Sequence, residues 1–119
     1  MTEIALVEAT DAFTHVALMG PLDSAGVGAV ELKLTSHTVA RRKPAIIDLS
    51  GVDVLTSLAI GMLMTIARTM HGHGAGVAVI ATGRAKQILE AMALQPFLVV
   101  QPTREEALRH LGVMPRGSA

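Results

Sequence analysis

Apolar and polar positions run along this chain in short blocks broken by Gly, Pro and Asp, and each block has the period of one element. Residues 3–8 (Glu-Ile-Ala-Leu-Val-Glu) and 13–19 (Phe-Thr-His-Val-Ala-Leu-Met) read as strands, with Ala9-Thr10-Asp11-Ala12 as a hairpin link. Gly20-Pro21 ends the second strand. Asp23 or Ser24 then caps a helix predicted to reach about Arg41, with Val27, Val30, Leu34 and Thr38 along its inner face. Gly26 and Gly28 weaken its first turns.

Pro44 closes that helix. Ala45-Ile46-Ile47-Asp48-Leu49 is short, rich in β-branched residues and bounded by turn signals, as a strand buried on both faces would be. Ser50-Gly51 is predicted as a turn and Val52–Leu55 as extended chain, followed by a helix from about Ser57 to Met70. His71-Gly72-His73-Gly74-Ala75-Gly76 should end it. Residues 77–81 form a second wholly apolar strand, 83–93 a short helix and 97–100 the last strand. Thr103 caps a helix over 104–111, and Glu106 stands three positions on, the spacing of a capping box. The predicted order is β-β-α-β-α-β-α-β-α. It implies a single α/β domain over residues 3–112 with a mixed, mostly parallel sheet of about five strands and about four helices. Residues 113–119 are expected to form an unstructured tail.

Composition narrows what such a domain can do. The 119 residues suit one domain with a real core, since half are hydrophobic. Zero cysteines exclude disulfides, thiolate metal sites and cysteine catalysis. Ten basic and ten acidic residues cancel, and two phenylalanines with no Trp or Tyr offer little for bases to stack on, so nucleic acid is not the expected partner. No apolar run approaches the roughly 18–20 residues of a membrane span, and acidic Glu3 replaces the basic start of a secretory signal. The expected location is the cytoplasm, without insertion into a membrane.

Catalytic and cofactor chemistry finds little support in the residue pattern, and neither enzyme activity nor a cofactor is expected. His71 and His73 lie two apart, but they sit among glycines without a neighbouring carboxylate, so a metal is not expected there and His71 reads as a helix-end cation. Gly72, Gly74 and Gly76 run from helix to strand, the reverse of a phosphate-cradling loop. Asp48 and Asp53 lack a nucleophile or acid partner, and Asp48 is expected to accept hydrogen bonds from nearby backbone.

The turn Leu55-Thr56-Ser57-Leu58-Ala59-Ile60-Gly61 differs from these. Thr56 and Ser57 stand at the N-cap positions of the helix. At about 100° per residue, Ala59, Met62, Leu63, Ile66, Ala67 and Met70 form a core stripe. Ser57, Gly61, Met64 and Arg68 fall on the opposite side, with Leu58 and Thr65 on its flank. Two large apolar side chains edging a face of Gly, Ser, Thr and Arg have the pattern of a partner surface. Two ordinary surface hydrophobes beside a plain cap would give the same pattern. A phosphoryl group here would add about −1.5 to −2 charge at a helix N-terminus, stabilised within the domain and repelling an apolar or acidic partner.

Residues Ile46 to Leu63, with Asp48-Leu49, the turn, and Thr56-Ser57-Leu58-Ala59-Ile60-Gly61 before an apolar helix, resemble without a gap the signature of STAS domains. The single-domain bacterial anti-sigma factor antagonists are the best-known members. Gly20-Pro21-Leu22-Asp23 resembles the family's Gly-x-Leu-Asp, and Phe97 to Leu108 its closing strand and helix. In that family the motif is Asp-Ser-Ser/Thr-Gly-Leu-Gly, and its second hydroxyl residue accepts phosphate from an anti-sigma kinase. The resemblance puts Thr56 at the aspartate position, keeps Ser57, and puts Leu58, which has no hydroxyl, at the acceptor position. Ser57 and Thr56 are the candidate substitute hydroxyls, although Ser57 points about 100° around the helix from the usual site.

The resemblance implies an anti-sigma factor antagonist that binds an ATPase-type anti-sigma factor without the usual phosphoswitch. Its expected contact residues are Asp23, Thr56, Ser57, Leu58, Gly61, Met64, Thr65 and Arg68. The alternative is an accessory or scaffold subunit, in a lipid-transporting ABC system or a stressosome-like assembly. A weak homodimer through the first strand is a further expectation.

Overall fold

The computed structural model describes residues 1–113. Five strands lie side by side in chain order: β1 (Glu3–Ala9), β2 (Thr14–Met19), β3 (Ala45–Gly51), β4 (Val77–Ile80) and β5 (Leu98–Gln101). β1 runs antiparallel to β2, and every later neighbour is parallel. The connections are α1 (Ser24–Thr38), α2 (Ser57–Gly72) and α3 (Gly83–Ala91), and α4 (Arg104–His110) follows β5. This is the predicted element order and fold class. No helix among the described residues is long and apolar enough to cross a membrane.

Several boundaries differ from the sequence reading, each for a local reason. β3 continues through Ser50-Gly51, where a turn was expected, because Met19 of β2 still pairs with Gly51 and the Gly20 N–H donates to the Gly51 carbonyl at 3.0 Å. Past Thr38, α1 tightens into a 3-10 turn over Val39–Arg41, and Arg42 at φ 56° stops it. α2 runs on to Gly72, so His71 belongs to its last turn rather than to a loop. Half of the capping box forms at α4. Thr103 Oγ1 accepts the Glu106 N–H at 3.2 Å, whereas the Glu106 carboxylate accepts from Arg109 at 2.6 Å. Val113, placed in the tail by the sequence, donates its N–H to Leu108 and packs beside α4. The rest of that expected tail, 114–119, lies outside the described residues.

Alternation along the central strands divides the core. Ala45, Ile47 and Leu49 of β3, with Val77 and Val79 of β4, face the inner sides of α1 and α2. Ile46, Ala78 and Ile80 face the opposite way, onto Phe13 and onto Ala107 and Leu108 of α4. Both central strands are therefore buried on two sides, as their continuous apolar runs require. α4 is short and packs mainly on β3, β4 and β5, reaching the outer two strands through Arg104, and Leu6 and Met19 on those strands stay exposed.

Two sets of hydrogen bonds fix the ends of this sandwich. At one end Arg41 reaches the hairpin, where its guanidinium donates to the carbonyls of Thr10 and Phe13 and to the Thr14 hydroxyl. At the other end the starts of α1 and α2 are tied together through Leu22, which is fully buried. The Leu22 N–H donates to the Val54 carbonyl at 2.8 Å, Leu22 bridges Leu55 as a parallel pair, and the Thr56 hydroxyl donates to the Leu22 carbonyl at 2.7 Å. Both helix N-termini consequently open at the same end of the sheet.

Gly26 belongs to this tie. A Cβ there would run into the Pro21 carbonyl and come within 2.7 Å of Thr2 Oγ1, whereas a Cβ at Gly28 would meet nothing within 4 Å among the described residues. The two glycines that look alike in sequence have different reasons to be there. Gly26→Ala should therefore lower the melting temperature by forcing the α1 start away from Pro21. Gly28→Ala should raise stability by up to about 1 kcal/mol, and urea unfolding of the pair reads both signs. Thr56→Val keeps the shape of the side chain and removes both of its hydrogen bonds. It should cost about 2 kcal/mol in the same measurement.

Candidate functional site

α2 starts at Ser57 because Thr56 holds an extended backbone and offers Oγ1 to the Ala59 N–H at 3.4 Å. The same hydroxyl donates its hydrogen to Leu22, so Thr56 is spent on structure at both of its valences. Asp23 plays the matching part for α1, with Oδ1 accepting the Gly26 N–H at 2.8 Å. This resolves the choice between Asp23 and Ser24 in favour of Asp23. The first turn of α2, Ser57-Leu58-Ala59-Ile60, is uncharged. Its free N–H groups and the helix dipole leave a positive end there without a carboxylate to offset it.

From this start the helix projects its residues nearly as the spacing predicts. Ala59, Met62, Leu63, Ile66, Ala67 and Met70 are all buried. Ile60 is buried too, which the projection did not assign. Ser57, Leu58, Gly61, Thr65 and Arg68 are exposed, and Leu58 keeps 53% of its surface in solvent. Met64 is the correction. It is half-buried and packs against the main core, because α2 lies deep enough for a long flexible side chain on its flank to reach the interior. Arg68 stays on the surface, with its guanidinium 5.9 Å from the ring centre of Phe97, and His71 meets the same ring edge-on at 5.1 Å. Phe97 precedes β5 rather than lying within it.

Two further features border this strip. Val54, which the sequence reading left unremarked, is 43% exposed just ahead of Thr56. Its signal was available as an apolar residue in an extended segment with polar neighbours on one side. Beside it opens a cleft of ≈ 430 Å3 lined by Leu49, Ser50, Asp53, Val54, Arg84 and Ile88, among others. The cleft lies past the carboxyl ends of β3 and β4, the end of a parallel sheet at which ligands and partners collect.

A second polar grouping lies on the α4 face. Asp48 accepts hydrogen bonds from the Ser50 N–H at 2.9 Å and the Ser50 hydroxyl at 2.6 Å, the backbone-tethering role expected of it. Its other oxygen, Oδ2, stands 3.4 Å from Nε2 of His15. Arg104 of α4 donates to both carboxylate oxygens of Glu8 on β1, at 3.0 Å for Nη2–Oε2, and its Nη1 lies 3.1 Å from His15 Nδ1. The Arg104 hydrogen bond holds the Glu8 carboxyl below the usual carboxylate range, and the same bond pushes Arg104 further up. His15 escaped the sequence analysis because a lone histidine inside an apolar strand carries no motif. Only the fold brings it to residues 33 positions and more away.

Comparison with known proteins agrees with this architecture. A family model for the STAS domain matches residues 5–107. No curated protein sequence matches the chain. Among solved structures, an anti-sigma factor antagonist from Mycobacterium paratuberculosis is 25% identical, covering 94% of this chain and 95% of its own, with a TM-score of 0.76. A candidate anti-sigma factor antagonist from Thermotoga maritima has a TM-score of 0.78 at 14% identity, covering 90% of this chain and 93% of its own. The phosphorylated form of the Bacillus cell fate determinant SpoIIAA superposes at 0.65 with 16% identity, over 88% of this chain and 96% of its own. At these identities the last two share the fold of this chain. With the family model spanning most of its length, the chain belongs to the STAS domain family.

Proposed function

We propose that this chain is an anti-sigma factor antagonist: a regulatory binding module that engages an ATPase-type anti-sigma factor through the first turns of α2, and does so constitutively. Leu58 is the observation that carries the reading. Its side chain is half in water at the second residue of α2. That is the position at which the family resemblance puts a phosphate-accepting hydroxyl.

Gly61, one turn further along, supports the same surface. A Cβ there would touch nothing within 4 Å among the described residues, so the fold itself does not call for glycine at a helical position where it costs about 1 kcal/mol. A bare stretch of backbone beside an exposed leucine lets a partner approach closely. Ser57 and Thr65 flank it as small polar neighbours, Val54 extends the apolar footprint, and the adjoining cleft adds a mixed lining with Ser50, Asp53 and Arg84. The partner contacts proposed are Ser57, Leu58, Gly61, Thr65 and Arg68. Asp23 and Thr56 act by holding the two helix starts in place, and Met64 acts by supporting the strip from beneath.

Regulation at this site would work by charge if a hydroxyl were present. A phosphate at the α2 N-terminus is stabilised within the domain by the free N–H groups and disfavours an apolar complement. A leucine there gives the partner the uncharged surface permanently. Thr56 has both hydrogen-bonding valences engaged, and Ser57 points about 100° away around the helix.

Titration calorimetry of purified chain against an ATPase-type anti-sigma factor tests the binding. Leu58→Asp should weaken it at least about 100-fold, because an apolar contact becomes a desolvated charge. The melting temperature should hold or rise slightly, since a carboxylate in the first helical turn suits the dipole. A large fall in melting temperature would make Leu58 a core residue and end the docking argument, and capture of transporter subunits in place of an anti-sigma factor would favour the accessory role. The second test is modification. Incubation with the kinase-type partner and ATP should leave the wild-type chain without stoichiometric phosphate by mass spectrometry, and Leu58→Ser should acquire one. Stoichiometric phosphate on Ser57 or Thr56 of the wild type would contradict the constitutive reading.

A further inference from the structure

The α4 face, away from the docking strip, contains a buried titratable side chain with one nitrogen bonded and the other not. His15 is 5% exposed, and its ring is faced by charged groups from three elements: Glu8 on β1, Asp48 on β3 and Arg104 on α4. A guanidinium has N–H groups and no acceptor, so Arg104 Nη1 must donate into a lone pair on His15 Nδ1. The single ring proton of the neutral imidazole then resides on Nε2. That nitrogen is buried and makes no hydrogen bond among the described residues, although Asp48 Oδ2 lies 3.4 Å away. Both Ser50 donors go to Oδ1 of the same carboxylate, so the oxygen facing the ring receives neither of them.

We infer that His15 is a proton-controlled latch: its neutral ring is one of two ties that fasten α4 to the sheet through Arg104, and a second proton transfers the ring to Asp48 and loosens the first turn of α4, leaving only the Glu8 tie. With that proton on Nδ1, an N–H would point at an Arg104 N–H across 3.1 Å, placing two donors and two positive charges against each other. Nε2–H meanwhile gains an ionic partner in Asp48 by closing a fraction of an ångström. Arg104 then keeps its pair with Glu8 on the exposed edge strand, whose carboxyl that same bond holds low, so the guanidinium is not left without a partner. What α4 covers is the second core cluster of Phe13, Ile46, Ala78 and Ile80. Loosening α4 uncovers this seam on the face opposite the docking strip.

The direction with pH follows from proton counting. The latched form leaves Nδ1 bare and so binds one proton fewer than the released form. Release is therefore favoured as pH falls. The contribution of Glu8 runs on a separate scale, present above the ordinary carboxylate range and lost only in stronger acid.

Hydrogen exchange of the full chain at pH 7.5 and pH 5.5, corrected for intrinsic rates, tests the latch. Protection over residues 103–110 should fall about 10-fold at the lower pH while α2 is unchanged. His15→Gln can accept from Arg104 and donate towards Asp48 but cannot titrate, so it should abolish the difference. Unchanged α4 protection in the wild type, or the same loss in His15→Gln, would overturn the inference. Should the variant fail to fold, nitrogen-15 spectra of the wild-type ring decide the matter. A bare Nδ1 and protonated Nε2 at neutral pH agree with the latch, and the opposite tautomer refutes it.

Discussion

Leu22 gives its N–H to the Val54 carbonyl and takes the Thr56 hydroxyl on its own carbonyl, and these two bonds hold the starts of α1 and α2 side by side at the carboxyl end of the sheet. Were they absent, Val52–Leu55 would be held after the end of β3 only by the Val52 N–H on the Leu49 carbonyl and by the packing of Val52 and Leu55 on the core. Thr56 could not then serve as cap and tie together, and the head of α2 would lose the bonds that reinforce the phase its buried stripe of Ala59, Leu63, Ile66 and Met70 sets. That phase puts Ala59 and Leu63 inside and Leu58 outside. A rotation of one residue, about 100°, would exchange buried and exposed positions along the whole helix. The placement of the candidate surface thus rests on the buried stripe of α2 together with the tie that Leu22 makes to its first turn.

The physical meaning of the surface lies in what a helix N-terminus does to charge. Unpaired N–H groups favour an anion, so a phosphorylated hydroxyl at this turn is comfortable within its own domain and unwelcome to a partner at once. Under the proposed reading, leucine at this turn keeps the geometry and removes the control, and regulation would have to act elsewhere. His15 and its three charged neighbours lie on the opposite face.

Legibility in the sequence followed how local each determinant is. Element order and the two-sided burial of β3 and β4 could be read because unbroken apolar runs admit few alternatives. The capping role of Thr103 was visible for the same reason, being settled within three residues, whereas at α2 Thr56 and Ser57 were two candidates until Thr56 Oγ1 was seen on the Ala59 N–H. Asp23 was one of two adjacent candidates until its carboxylate was seen on the Gly26 N–H. Long-range facts were hidden. Gly26 looks like a helix weakener until Pro21 and Thr2 are found pressed against it. Ser50-Gly51 reads as a turn until Met19 claims it as a ladder partner. Met64 sits on the exposed side of an ideal wheel, yet the depth of α2 and the reach of a thioether bring it to the core. The Glu8–Arg104–His15–Asp48 chain joins four elements and leaves no local trace.

The domain therefore has two distinct faces, one with an exposed leucine at the head of α2, proposed as the docking surface, and one that α4 closes over a buried histidine. The most direct measurement of the docking claim is a hydrogen-exchange footprint of the chain with and without a bound ATPase-type anti-sigma factor. The account predicts new protection concentrated at residues 22–28 and 54–65, with β1 and α4 unaltered. Protection on β1 and the exposed sheet face around Leu6 and Met19, with the head of α2 exchanging as freely as before, would contradict it.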